Sequence, residues 1–172
     1  MIELEKTYLA KFLPENLRNC KHKEIIDIYF PKHIAHPNLR LRKSGDQFEM
    51  TKKLLVNEGD ASHQKEHTIP LTEDEFNVLS MVEGKKVRKL RYYSEYKGRV
   101  AEVDVFQDDL FGLVVVDFEF ETIEEKDAFE IPEFCLMDVT QEEFIAGGMI
   151  CGKSYDDIEK DLSRFDYEKL FM

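Results

Sequence analysis

The sequence predicts an α+β protein, an antiparallel β-barrel with a few helices packed outside. Three observations lead there. Eight short runs alternate apolar and polar residues or concentrate β-branched and aromatic ones. Short turns such as KSGDQ and EYKGR join neighbouring runs as hairpins would. Helical signals are few and none separates the runs regularly, which argues against a parallel sheet and for an antiparallel one.

In chain order the expected strands are IELEKTYL (2–9), EIIDIYF (24–30), LRLRKS (39–44), QFEMTKKLL (47–55), KEHTIPL (65–71), KKVRKLRYY (85–93), VAEVDVF (100–106) and LVVVDFEFE (113–121). A helix should open at Thr72, where T-E-D-E supplies a capping box ahead of Phe76, Val78 and Leu79. A second should cover Ile123 to Glu130. Two more should flank the stretch GGMICGKS, one entering from a capping box of Thr140 and Glu143, the other capped by Ser154. No repeat, low-complexity tract or Gly/Ser linker divides the chain. One domain over 1–172 is expected, with the barrel in about 1–122 and a helical segment in about 123–172.

From Gly147 to Ser154 the stretch GGMICGKS fits the G-x-x-x-x-G-K-[ST] pattern of a phosphate-cradling loop. That loop works as a turn from a buried strand into a helix, with backbone N–H groups around the phosphates. Here a helix signal leads in, and too few residues follow Ser154 to build the parallel sheet such loops serve. Any phosphate site is expected elsewhere.

The balance of 36 acidic against 24 basic residues gives a net charge of −12, which disfavours a large nucleic-acid surface. There is no secretory h-region and no run of eighteen apolar residues, so no membrane association is expected and a cytoplasmic location follows. Cys20, Cys135 and Cys151 are odd in number and scattered, indicating neither disulfides nor a zinc site. His33 and His36 sit in the proline-bearing segment FPKHIAHPN and read as loop residues, not a metal pair.

The informative anomaly is charge inside the strands. Glu3 and Glu5, Arg40 and Arg42, Thr51 and Lys53, Lys89 and Arg91, Glu102 and Asp104, and Asp117, Glu119 and Glu121 each recur at every second position, hence on one face of a strand. The opposite faces are apolar, notably Val103 and Val105, and Val114, Val116, Phe118 and Phe120. An ordinary sheet would turn the charges to water. The grouping of acids on some strands and bases on others suits the inverted arrangement, in which charges line a lumen and apolar faces pack outward beneath helices. Such an interior is tolerable only if its charges are paired, hydrated or liganded. Clustered carboxylates prefer a hard divalent ion such as Mg²⁺ or Mn²⁺, and clustered Arg and Lys prefer a phosphate chain. A metal–polyphosphate complex satisfies both, and would react chiefly through positioning and electrostatic stabilisation.

The ordered series IELEK, LRLRKSGDQFEMTKK, VRKLRYY, AEVDVF, VVVDFEFE and DVT resembles the CYTH family, the triphosphate tunnel metalloenzymes, over about residues 1 to 145. The resemblance implies an eight-stranded antiparallel tunnel, open at both ends, that binds a triphosphate with Mg²⁺ or Mn²⁺. It implies metal-dependent hydrolysis of inorganic triphosphate or a small organic triphosphate. Alternatives within the same reading are a class IV adenylyl cyclase converting ATP to cyclic AMP and a non-catalytic polyphosphate- or nucleotide-binding module. Matched by position, Glu3 and Glu5 correspond to the glutamates of the family's E-x-E-x-K signature and are expected to act in catalysis and metal binding. Glu102, Asp104, Asp117 and Glu119 are the further expected metal ligands; Arg40, Arg42, Lys53, Lys89 and Arg91 are the expected triphosphate-binding residues. The expected partner is a triphosphate-containing small molecule, and the chain is expected to act as a monomer or homodimer. The pattern departs in two places. Thr7 stands where the signature has lysine, with Lys6 on the opposite face. A stripe usually basic-acidic-acidic reads Gln64, Glu66 and Thr68. Lys153, beyond the region of resemblance, is a candidate to supply the missing positive charge from a C-terminal helix folded over a tunnel mouth.

Overall fold

The computed structural model describes residues 2–172. The strands are β1 (Ile2–Ala10), β2 (His22–Phe30), β3 (Leu39–Ser44), β4 (Gln47–Leu55), β5 (His63–Leu71), β6 (Lys85–Tyr96), β7 (Arg99–Phe106), β8 (Val114–Phe120) and β9 (Cys135–Asp138). The helices are α1 (Glu73–Leu79), α2 (Ile123–Ala128), α3 (Gly147–Ile150) and α4 (Tyr155–Ser163). All eight expected strands form. They run antiparallel in the order β5-β4-β3-β2-β6-β7-β8-β1, and a β1–β5 pairing closes them into a barrel. The short β9, which carries no alternating signal, adds to the second half of β1.

Alternation fixes which side chains face the lumen. Cross-strand neighbours pair Glu5 with Glu119 and Thr7 with Asp117. They also pair Arg42 with Asp27 and Arg91 with Asp104, so the charged faces of different strands meet inside one another's reach. The opposite faces form the outer core. Leu4, Tyr8, Val103, Val105, Val116, Phe118 and Phe120 pack there with Phe129 and Phe134 from the chain after β8. On the far side, Phe76 of α1 covers Leu41 and Phe48, and α1 begins in the expected capping box of Thr72 and Glu75. The inverted arrangement is therefore the one adopted: charges inside, apolar faces outside.

One end of the barrel is filled. Leu9, Val87, Phe106 and Val115, the lumen positions at that end, share a buried cluster with Val139, Ile145, Ile150, Ile158 and Leu162 of the C-terminal segment. Expectation and structure differ here in detail. Thr140 caps no helix: its Oγ1 donates to Asp138 and accepts the Thr7 N–H at 3.0 Å, and only a 3₁₀ turn, Glu143–Ile145, follows. The helix expected to end near Gly147 instead starts there as α3. α4 has the expected Ser154 capping box, closed by Asp157.

This packing explains GGMICGKS without phosphate. A Cβ on Gly147 would lie 2.2 Å from the Tyr29 hydroxyl and one on Gly148 2.2 Å from the Pro37 carbonyl oxygen. Gly152 has φ +72°, a left-handed conformation that side chains disfavour. The three glycines serve close approach and a turn.

Candidate active site

The lumen holds a cavity of about 670 Å³. Among its walls are the acids Glu3, Glu5, Asp117 and Glu119 and the bases Arg40, Arg42, Lys53, Lys89 and Arg91; Lys53 reaches Glu3, and Arg91 reaches Asp117 at 3.4 Å. Asp104 lies beneath Lys89 and Arg91. Glu102, also expected here, is not in the cavity wall; its carboxylate is engaged by Arg91.

The basic side rests on buried acids. Arg42 donates from Nε and Nη2 to the two oxygens of Asp27 at 2.6 and 2.8 Å, a bidentate fork that fixes the guanidinium plane. Burial alone would push the Asp27 carboxyl up, but Arg42 and then Arg40 hold it far below the ordinary carboxylate range. Arg91 forks onto Asp104 with both distances 2.7 Å, and Lys89 donates to the same carboxylate. Burial raises Asp104 while Arg91 and Lys89 lower it further, to about 2. In the Lys89–Asp104 pair the carboxylate is the firmer charge, because two cations serve it while burial, Arg91 and Arg42 all oppose the ammonium. Arg40 differs: its Nε is buried without a hydrogen-bond partner, 3.9 Å from Asp27. Arg40 lines the cavity, and a buried donor left without a partner is costly.

The acidic side is the reverse. Glu3, Glu5 and Glu119 each place a carboxylate oxygen so that the three atoms lie within 4.8 Å of one another. Lys53 reaches Glu3 and, at 3.4 Å, Glu66. Glu5 accepts a hydrogen bond from the Thr7 hydroxyl at 3.3 Å. Burial, and then Glu5, raise Glu3 against the opposing pull of Lys53. Burial, then Glu3 and Glu5, raise Glu119. Asp117, next along β8, is raised well above its usual value by burial and by Glu5 and Asp104, and its Oδ1 is buried with no partner. Crowded carboxylates that resist ionising, with an orphaned oxygen beside them, form a donor set that fits a hard divalent cation.

Thus Glu3, Glu5 and Glu119 come together, Asp117 adjoins them, and Glu102 and Asp104 belong to the arginine–lysine network. Thr7 lines the cavity, while Lys6 faces outward, 4.0 Å from Asp138. Lys153 is not in this cavity; it borders a separate groove with Lys32 and Lys86. Sequence reasoning missed Asp27, whose signal is a lone acid in the apolar run EIIDIYF. It also missed Tyr29, on the same face of β2 and in the cavity wall.

No family profile matches the chain. An inorganic triphosphatase of Nitrosomonas europaea is 30% identical over 144 residues, spanning 83% of this chain and 91% of that protein. A crystal structure of an inorganic triphosphatase matches with a TM-score of 0.63 at 24% identity, covering 88% of this chain and 95% of the other. The crystal structure of a putative adenylate cyclase from Bacillus halodurans matches with a TM-score of 0.53 at 13% identity, over 99% and 92% of the two chains. At these identities the two structures show the shared barrel.

Proposed function

The chain belongs to the CYTH family of triphosphate tunnel metalloenzymes, and we propose that it hydrolyses inorganic triphosphate or a small organic triphosphate with Mg²⁺ or Mn²⁺. The observation that carries this reading is the presence in one cavity of a carboxylate trio and five cationic side chains. The Nitrosomonas relative, named for the same activity, supports it.

On this reading Arg40, Arg42, Lys53, Lys89 and Arg91 bind the phosphate chain. Arg42 and Arg91, held in forks by Asp27 and Asp104, present rigid N–H groups to phosphate oxygens. Their order precedes ligand binding, so little reorganisation is needed when charge shifts toward the leaving phosphate. Glu3, Glu5 and Glu119 hold the divalent ion, with Asp117 adjoining. When bound, the ion neutralises phosphate charge and lowers the pKa of a water. Glu5, whose carboxylate accepts from the Thr7 hydroxyl, would orient an attacking water and accept its proton.

Purified protein should release orthophosphate from tripolyphosphate in Mg²⁺ or Mn²⁺ and none in EDTA. Arg42→Ala should lower kcat/KM by about 10²-fold, the scale of removing one preorganised charge-stabilising donor. Absence of turnover with tripolyphosphate, thiamine triphosphate and ATP in either metal would refute the proposal. Cyclic AMP formed from ATP without orthophosphate release would move it to the cyclase reading.

A further inference from the structure

The barrel closes where its ladder is shortest. Among the described residues β1 and β5 pair only through Ile2↔Lys65, Glu3↔Gln64 and Leu4↔His63, whereas β1 and β8 pair from Leu4↔Phe120 through Leu9↔Val115. Two of the three trio carboxylates, Glu3 and Glu5, sit at this junction. The Glu5 N–H extends it by one bond, donating to the Ser62 carbonyl oxygen at 3.2 Å.

Ser62 is buried, and its hydroxyl is gripped from two sides. Lys126 of α2 donates to Ser62 Oγ at 2.6 Å, and Ser62 Oγ donates to Asp60 Oδ1 at 2.6 Å. Asp60 Oδ1 also accepts the Ser62 N–H at 3.0 Å and Gln141 Nε2 at 3.2 Å. Gln141 Oε1 in turn accepts the Ala61 N–H at 2.9 Å. The Lys126 side chain is only 10% exposed, and its nearest paired carboxylate, the largely exposed Asp127, is 3.8 Å away. A buried ammonium whose hydrogen bond goes to a neutral hydroxyl is an expensive way to fill space. An apolar side chain would fill it with less desolvation. What the lysine adds is direction: it joins α2, which follows the strand of Glu119, to the residue that holds the backbone of Glu5.

We propose that Lys126 is a positioning residue for the carboxylate trio, clamping the start of β5 onto β1 through Ser62 so that Glu3 and Glu5 keep their spacing to Glu119. The proposal rests on the reading of that trio as the metal site. Groups that orient metal ligands without touching the metal typically govern affinity by 10- to 100-fold when removed, roughly the range expected here.

The test uses the full chain, metal-free and without triphosphate, titrated with Mn²⁺ in a calorimeter. Lys126→Met and Ser62→Ala should each raise the Mn²⁺ Kd about tenfold, Ser62→Thr should keep it near the wild-type value, and turnover at saturating Mn²⁺ should return to within about threefold of wild type. If Lys126→Met shows no cooperative melt, Ser62→Ala, which leaves the Glu5 backbone bond available, decides. Folded variants that bind Mn²⁺ as tightly as wild type would overturn the clamp while leaving the metal reading intact. A wild-type chain that binds no Mn²⁺ would overturn the metal reading, and the clamp with it.

Discussion

The two walls of the lumen carry charge in opposite states. On the Asp27–Arg42 and Asp104–Arg91–Lys89 wall each acid is matched by at least one cation at hydrogen-bond distance, and the acids are held strongly ionised. On the Glu3–Glu5–Glu119 wall carboxylates face one another with Lys53 as the cation donating to Glu3, and Glu3 and Glu119 resist ionising. The first wall is complete in the folded chain; the second, on the proposed reading, is the one a divalent cation from solution would complete. Packing follows the same division. The matched wall is deeply buried, with Asp27 2% and Asp104 1% exposed, whereas Glu119 stays open to solvent.

Breaking the matched wall should have the largest effect on the fold. Asp104→Ala strands the buried Lys89 and breaks the Arg91 fork, leaving Arg91 to Glu102 and Asp117, and should destabilise the chain by about 3–5 kcal/mol in urea unfolding, the cost of breaking a buried pair from one side. Glu5→Gln, on the other wall, should leave the melting temperature unchanged or slightly raised, because it relieves repulsion.

pH should separate the walls further. A carboxyl held at about 2, such as Asp104, contributes stability that is complete above its unfolded value and is lost as pH falls through its folded one. Glu3 and Glu119 act with the opposite sign: their folded pKa values are raised, so the folded chain keeps protons the unfolded chain has released, and stability declines as pH rises through that interval. On the proposed reading a divalent ion would replace those protons. Mg²⁺ or Mn²⁺ should therefore raise the melting temperature, and more so at about pH 7 than at about pH 5. At one hundred times its Kd it should add about 2.7 kcal/mol. An equal metal shift at both pH values would remove the trio from metal binding. The smallest effect should be that of Lys153→Ala. Its side chain lies outside the cavity, and triphosphate affinity should be unchanged within about twofold, as for surface substitutions away from such a site.

Much of this contrast was legible in the sequence, because strand alternation places residues two apart on one face without knowledge of the tertiary fold. That is how Glu3 with Glu5, Arg40 with Arg42, and Lys89 with Arg91 could be grouped. Alternation does not say which acid serves which base. Glu102 and Asp104 read from the sequence as metal ligands, and the register of the β6–β7 hairpin sets both beside Arg91. Asp27 was hidden because a single acid in EIIDIYF makes no stripe. β9 is too short to show a period, and the plug from Val139 to Ile150 is a chain of brief turns whose partners, Val87, Phe106 and Val115, are distant in sequence. Lys126 and Ser62 lie 64 positions apart, and only the folded chain joins them.

Whether one wall binds the phosphate chain and the other the metal turns on Glu5→Gln, measured twice. One measurement is calorimetric tripolyphosphate affinity in Mg²⁺; the other is turnover under the same conditions. Affinity should stay within about tenfold of wild type while turnover falls by about 10²-fold or more. Equal loss of both, or undiminished turnover, would contradict that assignment.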